Sequence, residues 1–175
     1  MHYLALLSRC LIAGVLVLAV VSKLRGPTDV ESAISELLKV ARQPVGRRLV
    51  RLLIAAELGV AALVIAPGTA PAGLAAATVL MWGFAAFVAM SVRQRRRIPC
   101  PCFGPSRTPL GPVHVVRNVA LGAVAAAGAA ALAYAPATAL QPGGVVVTLI
   151  AAALGVCLAA FSDDVHALFS DPTRT

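Results

Sequence analysis

The sequence predicts an all-α polytopic membrane protein, an antiparallel bundle of about five transmembrane helices, and three observations predict it. Of its 175 residues, 59% are hydrophobic and 13% charged, whereas soluble domains are about 45 to 50% apolar. The apolar residues are gathered into long uninterrupted blocks, and about 20 such residues cross the hydrocarbon core as a helix. Lysine and arginine cluster beside alternate connections, the pattern of a chain that re-enters the membrane repeatedly.

The first block, residues 4–21, lacks the small-residue cleavage site of a signal peptide and runs into Ser22-Lys23-Leu24-Arg25, so it reads as a retained span. In the connection after it, Thr28 and Glu31 form a capping-box pattern. Val30, Ala33, Ile34, Leu37, Leu38 and Ala41 then recur at helical spacing before Pro44 and Gly46. This predicts an amphipathic helix over 28–43 lying along the membrane surface, an anchor on the plainer reading and a lid over the bundle on the sharper one. The second and third spans, 49–66 and 72–92, are joined by Pro67-Gly68-Thr69-Ala70-Pro71. The fourth and fifth, 113–135 and 145–161, are joined by Gln141-Pro142-Gly143-Gly144. Connections this short make neighbouring helices antiparallel.

A formal charge of +8 raises the question of nucleic acid, and its distribution answers it. Lys23, Arg25, Lys39, Arg42, Arg47, Arg48 and Arg51 flank or fill the first connection. Arg93, Arg95, Arg96, Arg97, Arg107 and Arg117 lie in or beside the third, and the second and fourth carry no Lys or Arg. The positive-inside rule then places the N-terminus outside and both basic connections and the C-terminus in the cytoplasm of a cell membrane. Only Arg9 falls on the opposite side. The partner implied for the basic run is the lipid bilayer, not nucleic acid.

Chemistry is confined to few residues. Cys100 and Cys102 flank Pro101 and follow Pro99, so helix and regular strand pairing are both closed to them. Pro101 favours a tight turn that brings the two α-carbons toward disulfide range, and a bridge across so small a ring would be strained and easily reduced. Neighbouring arginines favour the thiolate. Two other readings stand beside this one: inert reduced thiols, or half a metal site completed by His114 or another chain.

Glu57 is the only acid inside a predicted span, and an intramembrane acid marks either function or a specific buried partner. Lys23, Arg117 and Asn118 lie near the same end of their helices and are its candidate partners, in a network that holds helices together or relays protons. Cys10 and Cys157 read as small apolar fillers, Met81 and Met90 as packing, Trp82 and Tyr134 as packing or interface residues, and His166 as part of a solvated tail. No phosphate-binding loop, dinucleotide fingerprint, zinc-protease motif or nucleophile elbow is present. No resident metal or cofactor is indicated.

Four stretches in this order resemble the MauE family, small membrane proteins related in pattern to DoxX. They are Val21-Ser22-Lys23-Leu24-Arg25-Gly26-Pro27, Glu57-Leu58-Gly59, Arg97-Ile98-Pro99-Cys100-Pro101-Cys102-Phe103-Gly104 and Val116-Arg117-Asn118. The resemblance covers about Leu4 to Ala135 and implies a DoxX-like four-helix core plus one further helix. It also implies a redox role for Cys100 and Cys102 with a thioredoxin-like partner or a quinone, in maturation of the disulfide-rich subunit of methylamine dehydrogenase. Glu57, Lys23, Arg117 and Asn118 would be the polar residues of the bundle. Because the basic residues place the Cys pair inside, where thiols stay reduced, the resemblance is carried over as a redox association without oxidation of exported substrates. The alternative is a non-catalytic membrane scaffold for maturation factors. Neither composition nor motif sets the oligomeric state.

Overall fold

The computed structural model describes residues 1–25, 43–93, 111–134 and 141–169. Within them the chain forms five α-helices and no strand: α1 (His2–Arg25), α2 (Gln43–Ile65), α3 (Ala70–Arg93), α4 (Pro112–Tyr134) and α5 (Pro142–Phe169). The surface helix expected over 28–43 lies outside the described residues, apart from its last position, which opens α2.

Proline starts most of these helices. Pro44, Pro71, Pro112 and Pro142 each fall in a first turn, where the missing N–H would have no intrahelical acceptor and φ is already helical. Pro44 and Gly46 therefore begin α2 where the sequence suggested the end of the preceding helix. Gly143 and Gly144 likewise lie inside α5 and not in a turn. The helices overrun the expected spans by a few residues at most ends, because hydrogen bonding continues past the apolar block. The overrun is longest in α5, which stays helical through 162–169 where a tail was expected, there being no glycine or proline before Pro172.

The α2–α3 turn is built by Gly68 and Thr69. Gly68 has φ 84°, a left-handed value that a side chain would disfavour. The Thr69 hydroxyl donates to Leu63 O at 2.8 Å, covering a carbonyl that α2 leaves open at its C-terminus.

Helix α1 touches all four others. The α1–α2, α2–α3, α3–α4 and α4–α1 contacts close a four-helix ring, and α5 lies on the flank of α1 with a lesser contact to α4. Ile12, Val15 and Leu16 of α1 meet Ala61 and Val64 of α2, Leu74, Ala77 and Met81 of α3, and Leu121 and Ala125 of α4 in one core. Small residues let the helices approach closely, which carries association where lipid is as apolar as the side chains. A Cβ on Gly73 would stand 2.5 Å from the backbone nitrogen of Val64, one on Gly128 would overlap Ser8, and one on Gly122 would overlap the Trp82 indole.

Among the described residues, four helices are long and apolar enough to cross a membrane: α1, α3, α4 and residues Pro142–Ser162 of α5. The remaining helix, α2, has the length, but Arg47, Arg48, Arg51 and Glu57 interrupt its apolar run. The outward faces are hydrocarbon: Val146, Val147, Ile150, Leu154, Leu158 and Phe161 of α5 are exposed, as lipid-facing positions must be. Met81 is core as expected. Met90 is exposed and Cys157 is exposed, so neither fills the interior, because both sit on the side of their helix turned from the ring. Cys10 is half-buried, and Tyr134 is exposed at the end of α4.

Candidate functional site

Ionic chemistry inside the ring is concentrated where α1, α2 and α3 meet. The Cα–Cβ bond of a helical residue tilts toward the helix N-terminus, so Lys23, near the end of α1, reaches back into the bundle. Its Nζ lies 2.7 Å from Oε1 and 3.0 Å from Oε2 of Glu57 on α2, and 3.4 Å from Ala19 O one turn up its own helix. The side chains are 4% and 1% exposed. Lysines near a membrane surface ordinarily extend outward to the headgroups; this one extends inward. The Phe84 ring of α3 covers the ammonium, with its centroid 5.9 Å from Nζ.

Electrostatics and donor geometry explain the arrangement. A lone charge in this interior would be strongly penalised, whereas a bidentate pair offsets the desolvation of both groups. An ammonium has three donors, and two carboxylate oxygens with one carbonyl take all three. The pair thus ties two helices with every donor of the ammonium engaged inside the bundle.

The other expected members of the network are bound elsewhere. Nη1 of Arg117 donates to Ala159 O at 3.1 Å and to the Ser162 hydroxyl at 3.0 Å, tying α4 to α5. Asn118 donates through Nδ2 to His114 O at 2.9 Å within α4. His114 is buried, and its Nδ1 accepts from the Gly111 N–H at 3.3 Å, capping the start of α4. Among the four polar residues singled out from the sequence, the structure brings Lys23 and Glu57 together and directs Arg117 to a different interface.

Cys100 and Cys102 lie outside the described residues, on the connection that leaves α3 at Arg93 and enters α4 at Gly111. The helices it joins, α3 and α4, share the most extensive interface among the described helices. Among the described residues no group of three or more His, Cys, Asp or Glu could hold a metal ion.

Two sets of contacts between helices were not legible in the sequence. Arg9, the one basic residue on the unexpected side, donates from Nε to Val64 O at 3.0 Å and from Nη2 to Ile65 O at 2.9 Å. A cation at the C-terminus of α2 satisfies open carbonyls and complements the helix dipole. Tyr3 accepts the Gln141 N–H at 3.0 Å and packs against Gly144, fastening the start of α5 to the start of α1. The available signal was antiparallel pairing, which sets an arginine seven residues into α1 beside the end of α2.

No curated protein and no solved structure matches the chain. A family model described as methylamine utilisation protein MauE matches residues 1–135, a stretch that takes in α1 to α4, the Lys23–Glu57 pair and the Cys100-Pro101-Cys102 connection. This multi-pass membrane protein therefore belongs to the MauE family.

Proposed function

We propose that the protein is a redox-associated component of protein maturation, exchanging thiols and disulfides through Cys100 and Cys102 with a thioredoxin-like partner or a quinone. The observation that carries this reading is the Cys-Pro-Cys-Phe-Gly run within the stretch matched by the MauE family. Two thiols one residue apart, stiffened by proline and neighboured by Arg95, Arg96 and Arg97, suit reversible two-electron chemistry. On oxidation both thiols give up their protons, one sulfur–sulfur bond forms, and the partner's disulfide is reduced to a dithiol. The family's name suggests methylamine utilisation as the setting, and the resemblance suggests maturation of methylamine dehydrogenase within it. The bundle supports such a role by holding the two helices that bracket the connection in close contact.

Complementation of a deletion strain by Cys100→Ser and Cys102→Ser tests it, with the alkylation state of both thiols followed by mass spectrometry in oxidised and reduced membranes. Each single variant is expected to lose function equally, because a two-electron exchange needs both sulfurs. Cys10→Ala and Cys157→Ala are expected to keep it. Full activity of the double Cys→Ser variant would remove the redox reading.

The orientation belongs to the same proposal: N-terminus outside, and the Cys connection and C-terminus cytoplasmic, by the charge bias. A membrane-impermeant thiol reagent applied to intact cells should then leave Cys100 and Cys102 unmodified, and labelling of either would invert the topology. A second reading, a scaffold that assembles maturation factors, is favoured by one feature. The ammonium of the charged pair within the ring spends every donor inside the bundle, as that of a structural element would.

A further inference from the structure

At the end of the bundle that carries Lys23 and Arg93, the fold uses some cations and leaves others outward. Lys23 is taken by Glu57, the only carboxylate among the described side chains. Arg48 and Arg51 of α2 are exposed, and neither has a hydrogen bond or ion pair with the described residues. Three residues apart, they share one face of the helix. The same face continues through Leu52, Ala55 and Gly59, all exposed, and nothing lies within 4 Å of where a Cβ on Gly59 would stand.

Depth gives this face its meaning. The 14 residues from Leu52 to Ile65 rise about 21 Å, against a hydrocarbon thickness of about 30 Å. Across the ring, α3 carries 23 uncharged residues from Ala70 to Val92, about 35 Å. The far ends of α2 and α3 are level, since Gly73 packs against the backbone of Val64. Arg51 therefore starts from within the depth that α3 spans with hydrocarbon, on a lipid-facing surface. Its side chain tilts toward the N-terminus of α2 and so toward the headgroups. At that boundary the anion at hand is a lipid phosphate.

We propose that Arg48 and Arg51 form a binding site for an anionic phospholipid, holding its phosphate while an acyl chain lies along Leu52, Ala55 and Gly59. Anionic lipid is selected because the two guanidinium charges of Arg48 and Arg51 are offset by no described carboxylate, while Arg25 and Arg93, also exposed at this end, add only longer-range positive potential. Guanidinium groups suit phosphate by their forked donors. The site stands independently of any thiol chemistry.

The test uses the full-length protein, delipidated in detergent, with native mass spectrometry of bound phosphatidylglycerol and phosphatidylcholine of matched acyl chains. Phosphatidylglycerol is expected to bind more tightly. Arg51→Gln should weaken it about fivefold and the Arg48→Gln, Arg51→Gln pair about 25-fold, from the usual worth of a basic residue at a membrane surface. Phosphatidylcholine binding and the lipid-free melting midpoint should not move. Arg93→Gln should change phosphatidylglycerol binding less than twofold, Arg51→Lys should weaken it by less than Arg51→Gln does, and inorganic phosphate should not compete. Equal binding of the two lipids, an Arg93→Gln loss as large as that of Arg51→Gln, or competition by inorganic phosphate would overturn the site in favour of diffuse attraction or a soluble anion.

Discussion

Lys23 and Glu57 show what a single pair of residues can impose on a membrane bundle. Each side chain is almost wholly buried, and the hydration each gives up is offset chiefly by the other. Glu57→Leu or Lys23→Met alone should therefore lower stability by about 3 to 5 kcal/mol, the usual cost of stranding a buried charge, measured by denaturant titration in detergent. Glu57→Gln should cost less, because the amide oxygen still accepts from Nζ. The Lys23→Met, Glu57→Leu double variant should recover most of the loss, since no charge is then left unpaired. Equal stability of the wild type and both single variants would mean that the pair is solvated in the membrane-embedded protein. Glu57 was legible in the sequence as an acid needing a partner. Which of three candidates would supply it was not, because that depends on how helices distant in sequence rotate about their axes.

At the scale of the elements, helix existence was read easily and helix faces were not. Long apolar blocks with proline at their starts announce helices whatever surrounds them. Whether Met90 or Met81 points inward depends on a neighbour, and both carry the same local signal. Glycine shows the same division. Gly73 meets the backbone of α2, which cannot step aside, so Gly73→Ala should destabilise by about 1 to 3 kcal/mol through overpacking. Gly122 meets the Trp82 indole, which is 50% exposed and free to swing toward lipid, so Gly122→Ala should cost less. Gly59→Ala meets nothing and should be neutral or slightly stabilising, given alanine's higher helix propensity. Thermal unfolding of the three variants in one detergent checks the order, and a Gly59→Ala loss as large as that of Gly73→Ala would place a partner helix on the exposed face of α2.

For the whole molecule, the ring of α1 to α4 and the flanking position of α5 suggest a division of labour. The family match covers the ring and stops before α5. That helix is held by Arg117 of α4, by Tyr3, and by the close approach of Gly14 to Val156 and of Gly155 to Leu11. A chain ended after residue 140 should still insert and remain monodisperse, with the Lys23–Glu57 tie intact, but should melt at lower temperature than the full chain. Aggregation of the shortened chain on extraction would show that α5 is needed to close the bundle.

The sequence by itself determined that this protein spans the membrane several times as antiparallel helices, that its basic residues gather at one end, and that Glu57 needs a partner. It did so because hydrocarbon thickness and the cost of buried charge act on each segment locally, before any helix meets another. Only the tertiary structure decided that Lys23 turns inward to Glu57, that Arg117 ties α5 instead, that Arg9 caps α2, and that α1 stands in contact with every other described helix. Those outcomes depend on the rotation and depth of each helix relative to its neighbours. Small residues such as Gly73, Gly122 and Gly128 set these by where they permit close approach, and no periodicity within one helix encodes it.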